Sequence, residues 1–198
     1  MEVIMLNKPA GYLSACSDRT RPTVMELLPP SLRHLHPVGR LDLDTEGLLL
    51  LTDDGRLDPL LLRPEAGVEK LYFFRAFGHL EQADFARMAA GVTLEGTGVL
   101  SKPARAWLEG YSTIGARESL LPKKKHNHLM KNPQRPVTEG WLAIREGRKH
   151  QVKLMVKAVG GHVFTLKRLS FGALRLDPTL APGEYRPLTE HELVQLLP

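Results

Sequence analysis

Gly39-Arg40-Leu41-Asp42-Leu43-Asp44-Thr45-Glu46-Gly47-Leu48-Leu49-Leu50-Leu51-Thr52-Asp53-Asp54-Gly55 joins the densest polar cluster of the chain to its most apolar run. Leu48–Thr52 does not alternate, so it reads as a buried strand, and Asp53-Asp54-Gly55 is the tight turn that ends it. The polar cluster starts just upstream, at His34-Leu35-His36-Pro37-Val38. A loop held by a rigid buried element is a place where function concentrates. Arg40 and Asp42 are two residues apart, so in extended backbone they project to one side and can pair. Spacing alone favours an Arg–Asp pair that pins the loop. The functional alternative is a carboxylate beside a guanidinium, suited to nucleophilic or electrostatic work and unsuited to donating a proton.

Working outward, Val3–Leu6 is a short strand stopped by Asn7-Lys8-Pro9-Ala10-Gly11. Pro22–Leu28 reads as a short helix opened by proline. Val68–Phe77 alternates as a strand, with Lys70, Tyr72, Phe74 and Ala76 on one face and Leu71, Phe73 and Phe77 on the other. Glu81–Ala90 is a helix closed by Gly91. Trp107 and Trp141 flank the least regular region, and Gly110–Pro136 reads as a long basic loop. Trp141–Ile144, Val163–Leu166 and Leu169–Leu176 read as strands. Lys149–Val159 reads as a helix whose Lys149, Lys153 and Lys157 form a basic stripe at i, i+4, i+8. Thr189 and Glu192 make a capping box for a short last helix. Strands and helices mix irregularly, so the fold class is α+β and not a doubly wound α/β sheet. No glycine-rich phosphate loop is present.

At 198 residues the chain fits one domain. Its 42% hydrophobic and 25% charged residues exclude a disordered or fibrous class. No apolar run reaches the roughly 18–20 residues of a membrane helix, and no secretory signal opens the chain, so no membrane partner is expected. Cys16 is the single cysteine, which excludes an internal disulfide and points to a reducing, cytoplasmic setting. The net charge of +5 is unevenly spread. Leu121–Ser170 holds 12 Lys/Arg against Glu139 and Glu146, a local +10, and the rest of the chain carries −5. That asymmetry suggests a surface for phosphates. His34, His36, Asp42, Asp44, Asp53 and Asp54 could build a metal site for a hydrolase. No HExxH or EF-hand pattern accompanies them, so no metal is expected.

The stretch Gly39–Gly55 resembles the signature of the pseudouridine synthases, in the subfamily that modifies ribosomal RNA at single uridines. Further segments resemble the family in the right order: Asn7-Lys8-Pro9-Ala10-Gly11, Lys70-Leu71-Tyr72, Glu146-Gly147-Arg148-Lys149-His150-Gln151-Val152-Lys153-Leu154-Met155, and Leu166-Lys167-Arg168-Leu169-Ser170-Phe171-Gly172. The resemblance runs from Leu6 to about Leu197. It implies the pseudouridine synthase fold, a mixed and mostly antiparallel central sheet flanked by helices and loops. It also implies a cofactor-free, metal-free isomerase acting on ribosomal RNA; a monomer is the expectation for its assembly.

Residue by residue, the resemblance implies Asp42 as nucleophile, Tyr72 packed on the uracil, and Lys153 as the basic partner of Asp42. Leu166 would pack below the base, and Arg40 would hold the flipped nucleotide. Arg148 and Gln151 join the substrate-binding set, and Lys70 joins it from its place on the Tyr72 face. Lys123, Lys124, Lys125, Lys149, Lys157, Lys167 and Arg168 are the expected RNA-backbone contacts. Lys153-Leu154 stands where the subfamily often has two arginines, and lysine lacks the guanidinium fork. The turn at Asn7 leaves no room for the small RNA-binding domain that precedes the catalytic domain in many members. A bare catalytic domain over residues 1–198 is therefore expected, most like the branch acting on large-subunit ribosomal RNA. The competing class is a non-catalytic RNA-binding or ribosome-assembly protein.

Overall fold

Six consecutive buried residues, Val3–Lys8, form strand β1 of the computed structural model, which describes residues 1–196. The end of the family resemblance at Leu197 lies outside the described residues. Next come β2 (His36–Val38), β3 (Thr45–Thr52), α1 (Leu57–Leu62), β4 (Lys70–Phe77), α2 (Gln82–Ala90), β5 (Thr93–Leu94) and β6 (Val99–Leu100). After β7 (Arg105–Thr113) follow α3 (His126–Leu129), β8 (Pro136–Ile144), α4 (Gln151–Ala158), β9 (His162–Phe171), β10 (Leu174–Arg175), β11 (Tyr185–Pro187) and α5 (Glu190–Leu196). The class is α+β, with a mixed central sheet and helices.

The chain divides into two units, one of Met1–Lys70 with the stretch from Lys167 onward, the other of Leu71–Leu166. In the first unit the strand order is β11-β1-β3-β9, with β2 on β3 and β10 on β9. β1 pairs antiparallel with both neighbours, Met5 standing opposite Leu50 and Arg186. Leu48 and Leu50 join Val3, Met5, Leu57, Leu61 and Phe171 in one core cluster. Leu49 and Leu51 are fully buried as well. The leucine run is unbroken because β3 is covered on both faces, and each buried leucine contributes about 2 kcal/mol. Gly47 is required here: its φ is +99°, and a Cβ would collide with the Arg168 carbonyl of β9.

In the second unit the order is β4-β8-β7. Gly140 of β8 lets Phe74 of β4 and Phe85 of α2 close over the sheet, since a Cβ there would lie 2.6 Å from the Phe85 ring. α2 opens on the Glu81/Asp84 capping box and closes at Gly91, φ +109°.

Several sequence expectations change here. Gly110–Pro136 is not one loop. β7 runs to Thr113 and β8 starts at Pro136. The excursion between them folds into short helical turns over Ile114, Leu121, Leu129 and Val137. The two strands expected at 163–176 are one long β9 and a short β10, turned at Gly172 in the left-handed region. α4 begins only at Gln151, after His150 with φ +55°. Lys149 lies before that break, so the three-lysine stripe does not exist as a helical face.

Candidate active site

The loop joining β2 to β3 is built around a lysine. Lys8, the last residue of β1, is 0% exposed. Its Nζ donates to the carbonyls of Thr45 at 2.8 Å, Pro9 at 3.1 Å and Asp42 at 3.2 Å, and approaches that of Leu43 at 3.4 Å. Further bonds close the cage. The Gly11 N–H donates to the Leu43 carbonyl at 2.7 Å, and the Thr45 N–H to the Asp42 carbonyl at 3.0 Å. Ser14 Oγ accepts from the Leu41 N–H and donates to the Leu41 carbonyl, both at 3.1 Å. Buried carbonyls need such donors, and an ammonium serving several of them fixes the turn more firmly than water would. Asp42 is half-buried on this turn, and neither it nor Asp44 is without a partner. Arg40 is exposed, and among the described residues no ion pair joins it to Asp42. The pinning expected of Arg40 is done by Lys8 and Ser14.

Lys70 and Arg168 of the first unit are buried cations for which no carboxylate partner is found among the described residues. Lys70 is 7% exposed and Arg168 3%. They stand over the Phe171 ring, with Lys70 Nζ 5.4 Å and the Arg168 guanidinium carbon 5.1 Å from its centre. Lys70 Nζ donates to the Val68 carbonyl at 3.1 Å, and Arg168 Nε to that of Leu48 at 2.8 Å. Burial, and then the charge of Arg168, pull the Lys70 amine down to about 8. Arg168 Nη2 and Thr45 Oγ1 are the buried side-chain polar atoms left without a hydrogen bond among the described residues. Arg168 is therefore not a surface contact for an RNA backbone. It props β3 from within, whereas Lys167 beside it is partly exposed.

In the second unit, Tyr72 is 8% exposed on the Lys70 face of β4, and Leu166 on β9 is 5% exposed. Lys153, in the first turns of α4, is half-buried and has a partner. The turn into α4 is locked by Glu146. Its carboxylate accepts from Gln151 Nε2 at 2.5 Å, from Arg148 Nε at 3.1 Å and from the Lys102 N–H at 2.9 Å. Gln151 Oε1 accepts the Arg148 N–H. Gln151 is 3% exposed, and both ends of its amide are engaged in this lock. Arg148 shares the lock through its Nε. Lys157 is exposed and pairs with Glu95 at 2.7 Å. Lys123, Lys124, Lys125 and Lys149 are all exposed. His34 lies 3.3 Å from Glu2 and His36 3.8 Å from Asp58.

Sequence reasoning gives no role to Lys8, Ser14 or Glu146. Lys8 and Glu146 stand in segments that resemble the family, Asn7–Gly11 and Glu146–Met155, but neither segment says what the side chain bonds, and Ser14 has no signal in the sequence.

The sequence pattern of the RNA pseudouridylate synthases matches residues 2–158. The chain is 43% identical over 192 residues to a Bacillus subtilis protein named uncharacterized RNA pseudouridine synthase YtzG, covering 96% of this chain and 71% of that one. It is 39% identical over 194 residues to the Escherichia coli ribosomal small subunit pseudouridine synthase A, covering 98% of this chain and 73% of that one. A crystal structure of a pseudouridylate synthase superimposes with a TM-score of 0.80 at 34% identity, over 99% of this chain and 74% of the other. The chain belongs to the RNA pseudouridylate synthase family. It is an RNA pseudouridine synthase, an enzyme that isomerises uridine within RNA.

Proposed function

We propose that the protein converts a uridine of ribosomal RNA to pseudouridine with Asp42 as the nucleophile. The observation that carries this reading is the Lys8-centred cage, which holds the Asp42 turn through its carbonyls. A carboxylate that must meet one sugar carbon needs a backbone that does not move. In the reaction the C1′–N1 bond breaks, the uracil rotates and C1′ bonds to C5. The proton leaves C5, and N1 gains one. Asp42 serves this either by attacking C1′ or by assisting a glycal route, and covalent attack would split one hard step into two. Tyr72 packs on the uracil and Leu166 below it. Lys153 compensates the Asp42 charge, Lys70 lines the site, and Arg40 holds the flipped nucleotide. Lys123–Lys125 take the RNA backbone. The chain acts as one catalytic domain and as a monomer.

Sequence resemblance alone points to large-subunit RNA as the target. The relatives named for the small subunit favour that RNA as the first place to look. Mapping pseudouridine in both ribosomal RNAs of cells lacking the protein tests this directly, and one missing site identifies the target. With a transcript containing that site, Asp42→Asn is expected to abolish product while RNA binding persists. Product formation by that variant would remove Asp42 from the chemistry.

A further inference from the structure

The sheet of the second unit carries a row of side chains that the isomerisation does not use. Trp107 of β7 and Trp141 of β8 stand directly opposite each other, their rings 11° from parallel with centres 6.0 Å apart. Phe73 of β4 continues the row, its ring centre 4.9 Å from that of Trp141. A guanidinium closes each end, Arg105 at 5.9 Å from Trp107 and Arg75 at 4.8 Å from Phe73. Both tryptophans of the chain belong to this row. All three rings are only partly buried.

Their polar tips are already occupied. Trp141 Nε1 donates to Glu109 at 2.6 Å. Glu139 accepts from Arg75 at 3.3 Å, Ser112 at 3.1 Å and Arg117 at 2.5 Å. Burial pushes the Glu139 carboxyl up, but the bonds from Arg117 and Ser112 and the charges of Arg75 and Arg117 outweigh it and hold the group below its usual value. Arg117 belongs to the excursion between β7 and β8, so Glu139 ties that excursion to the aromatic row. The excursion carries Arg117, Lys123, Lys124, Lys125, Lys131 and Arg135 against the single acid Glu118.

We propose that this row is a stacking platform for unpaired RNA, with the excursion's cations taking the phosphates. The inference rests on the reading of the chain as an RNA enzyme and extends it to nucleotides beyond the target uridine. Phe73 alternates with Tyr72 along β4, so the row lies on the other side of that strand from the tyrosine. Bases present a π-face whatever their identity, and aromatic side chains beside a cationic groove are the chemistry that binds a single strand. A protein partner would have to bring matching acids for the excursion, whereas RNA carries them at every phosphate.

The two tryptophans make the test direct. The full chain is titrated at low salt with an oligouridine of about 12 nucleotides, following tryptophan fluorescence and, in parallel, anisotropy of the labelled RNA. Quenching should track binding. Trp107→Ala should weaken binding about tenfold, within the range measured for base stacking on aromatic residues. Trp107→Phe should recover most of that loss. Absence of binding, binding with unchanged tryptophan emission, or full affinity in a folded Trp107→Ala would each overturn the platform, and the second result would leave the row to a protein partner. Asp42→Asn separates the two readings: it should lose product and keep the quenching. Retained product would refute the nucleophile and leave the platform standing.

Discussion

Lys70 is costly where it stands. Its amine is buried, has no carboxylate partner among the described residues and is held at about 8. The ordinary lysine value is higher, so between pH 8 and about 10.5 the unfolded chain binds the proton more tightly than the folded one. Stability therefore rises with pH across that window, and the full penalty applies below it. Lys70→Met should remove the penalty, raising stability at pH 7 by about 1–3 kcal/mol in urea titrations. Wild type and variant should converge as pH approaches 10.5, and pseudouridine formation by the variant should fall. Stability gained together with activity lost is the mark of a residue kept for function. A variant less stable than wild type at pH 7 would show that Lys70 supports the fold instead. Arg168 gives the opposite lesson. In the sequence it is one more basic residue near others, but in the fold it is an internal prop on β3.

At the scale of elements, short-range signals predict best. The Thr189/Glu192 capping box is present, with the Glu192 N–H donating to Thr189 Oγ1 at 3.2 Å and the Thr189 N–H to Glu192 at 2.9 Å. The bare motif does not show that Glu192 also grips Arg186 through two bonds of 2.7 Å, or that Arg186 reaches Asp177 at 2.6 Å. The Arg186 bonds outweigh burial and hold the Glu192 carboxyl at about 2. Bonds from Thr179, and then from Arg186, do the same for Asp177. Both groups are lowered, so their contribution is complete above the ordinary carboxylate range and is lost as pH falls toward 2. Melting temperature should drop over that interval, and Arg186→Met should flatten the drop; an unchanged profile in the variant would exclude the network as its cause. α4 illustrates the converse. The periodicity of its lysines is real in sequence, yet the left-handed His150 and the Glu146 lock start the helix two residues later than expected and detach Lys149.

At the scale of the whole chain, the charge asymmetry is legible in the amino-acid order, but only half of its meaning is. Of the expected phosphate contacts, Lys123–Lys125 are exposed on the excursion, Lys157 is exposed but engaged with Glu95, and Arg168 is internal. Replacing Lys123, Lys124 and Lys125 with Ala should lower the slope of log affinity against log salt by about 2 for single-stranded RNA. An unchanged slope would show that the excursion does not touch phosphates. The amino-acid order by itself determined the family, the α+β class, the buried β3 and the position of the Asp42 turn. Each of these rests on contiguous residues, whose periodicity and turn chemistry act locally. Only the tertiary structure decided that Lys8 holds the Asp42 turn, that Gln151 and Arg168 face inward, and that Trp107, Trp141 and Phe73 form one row. Those outcomes depend on which strands become neighbours, because burial and cross-strand contact belong to pairs of segments distant in the chain.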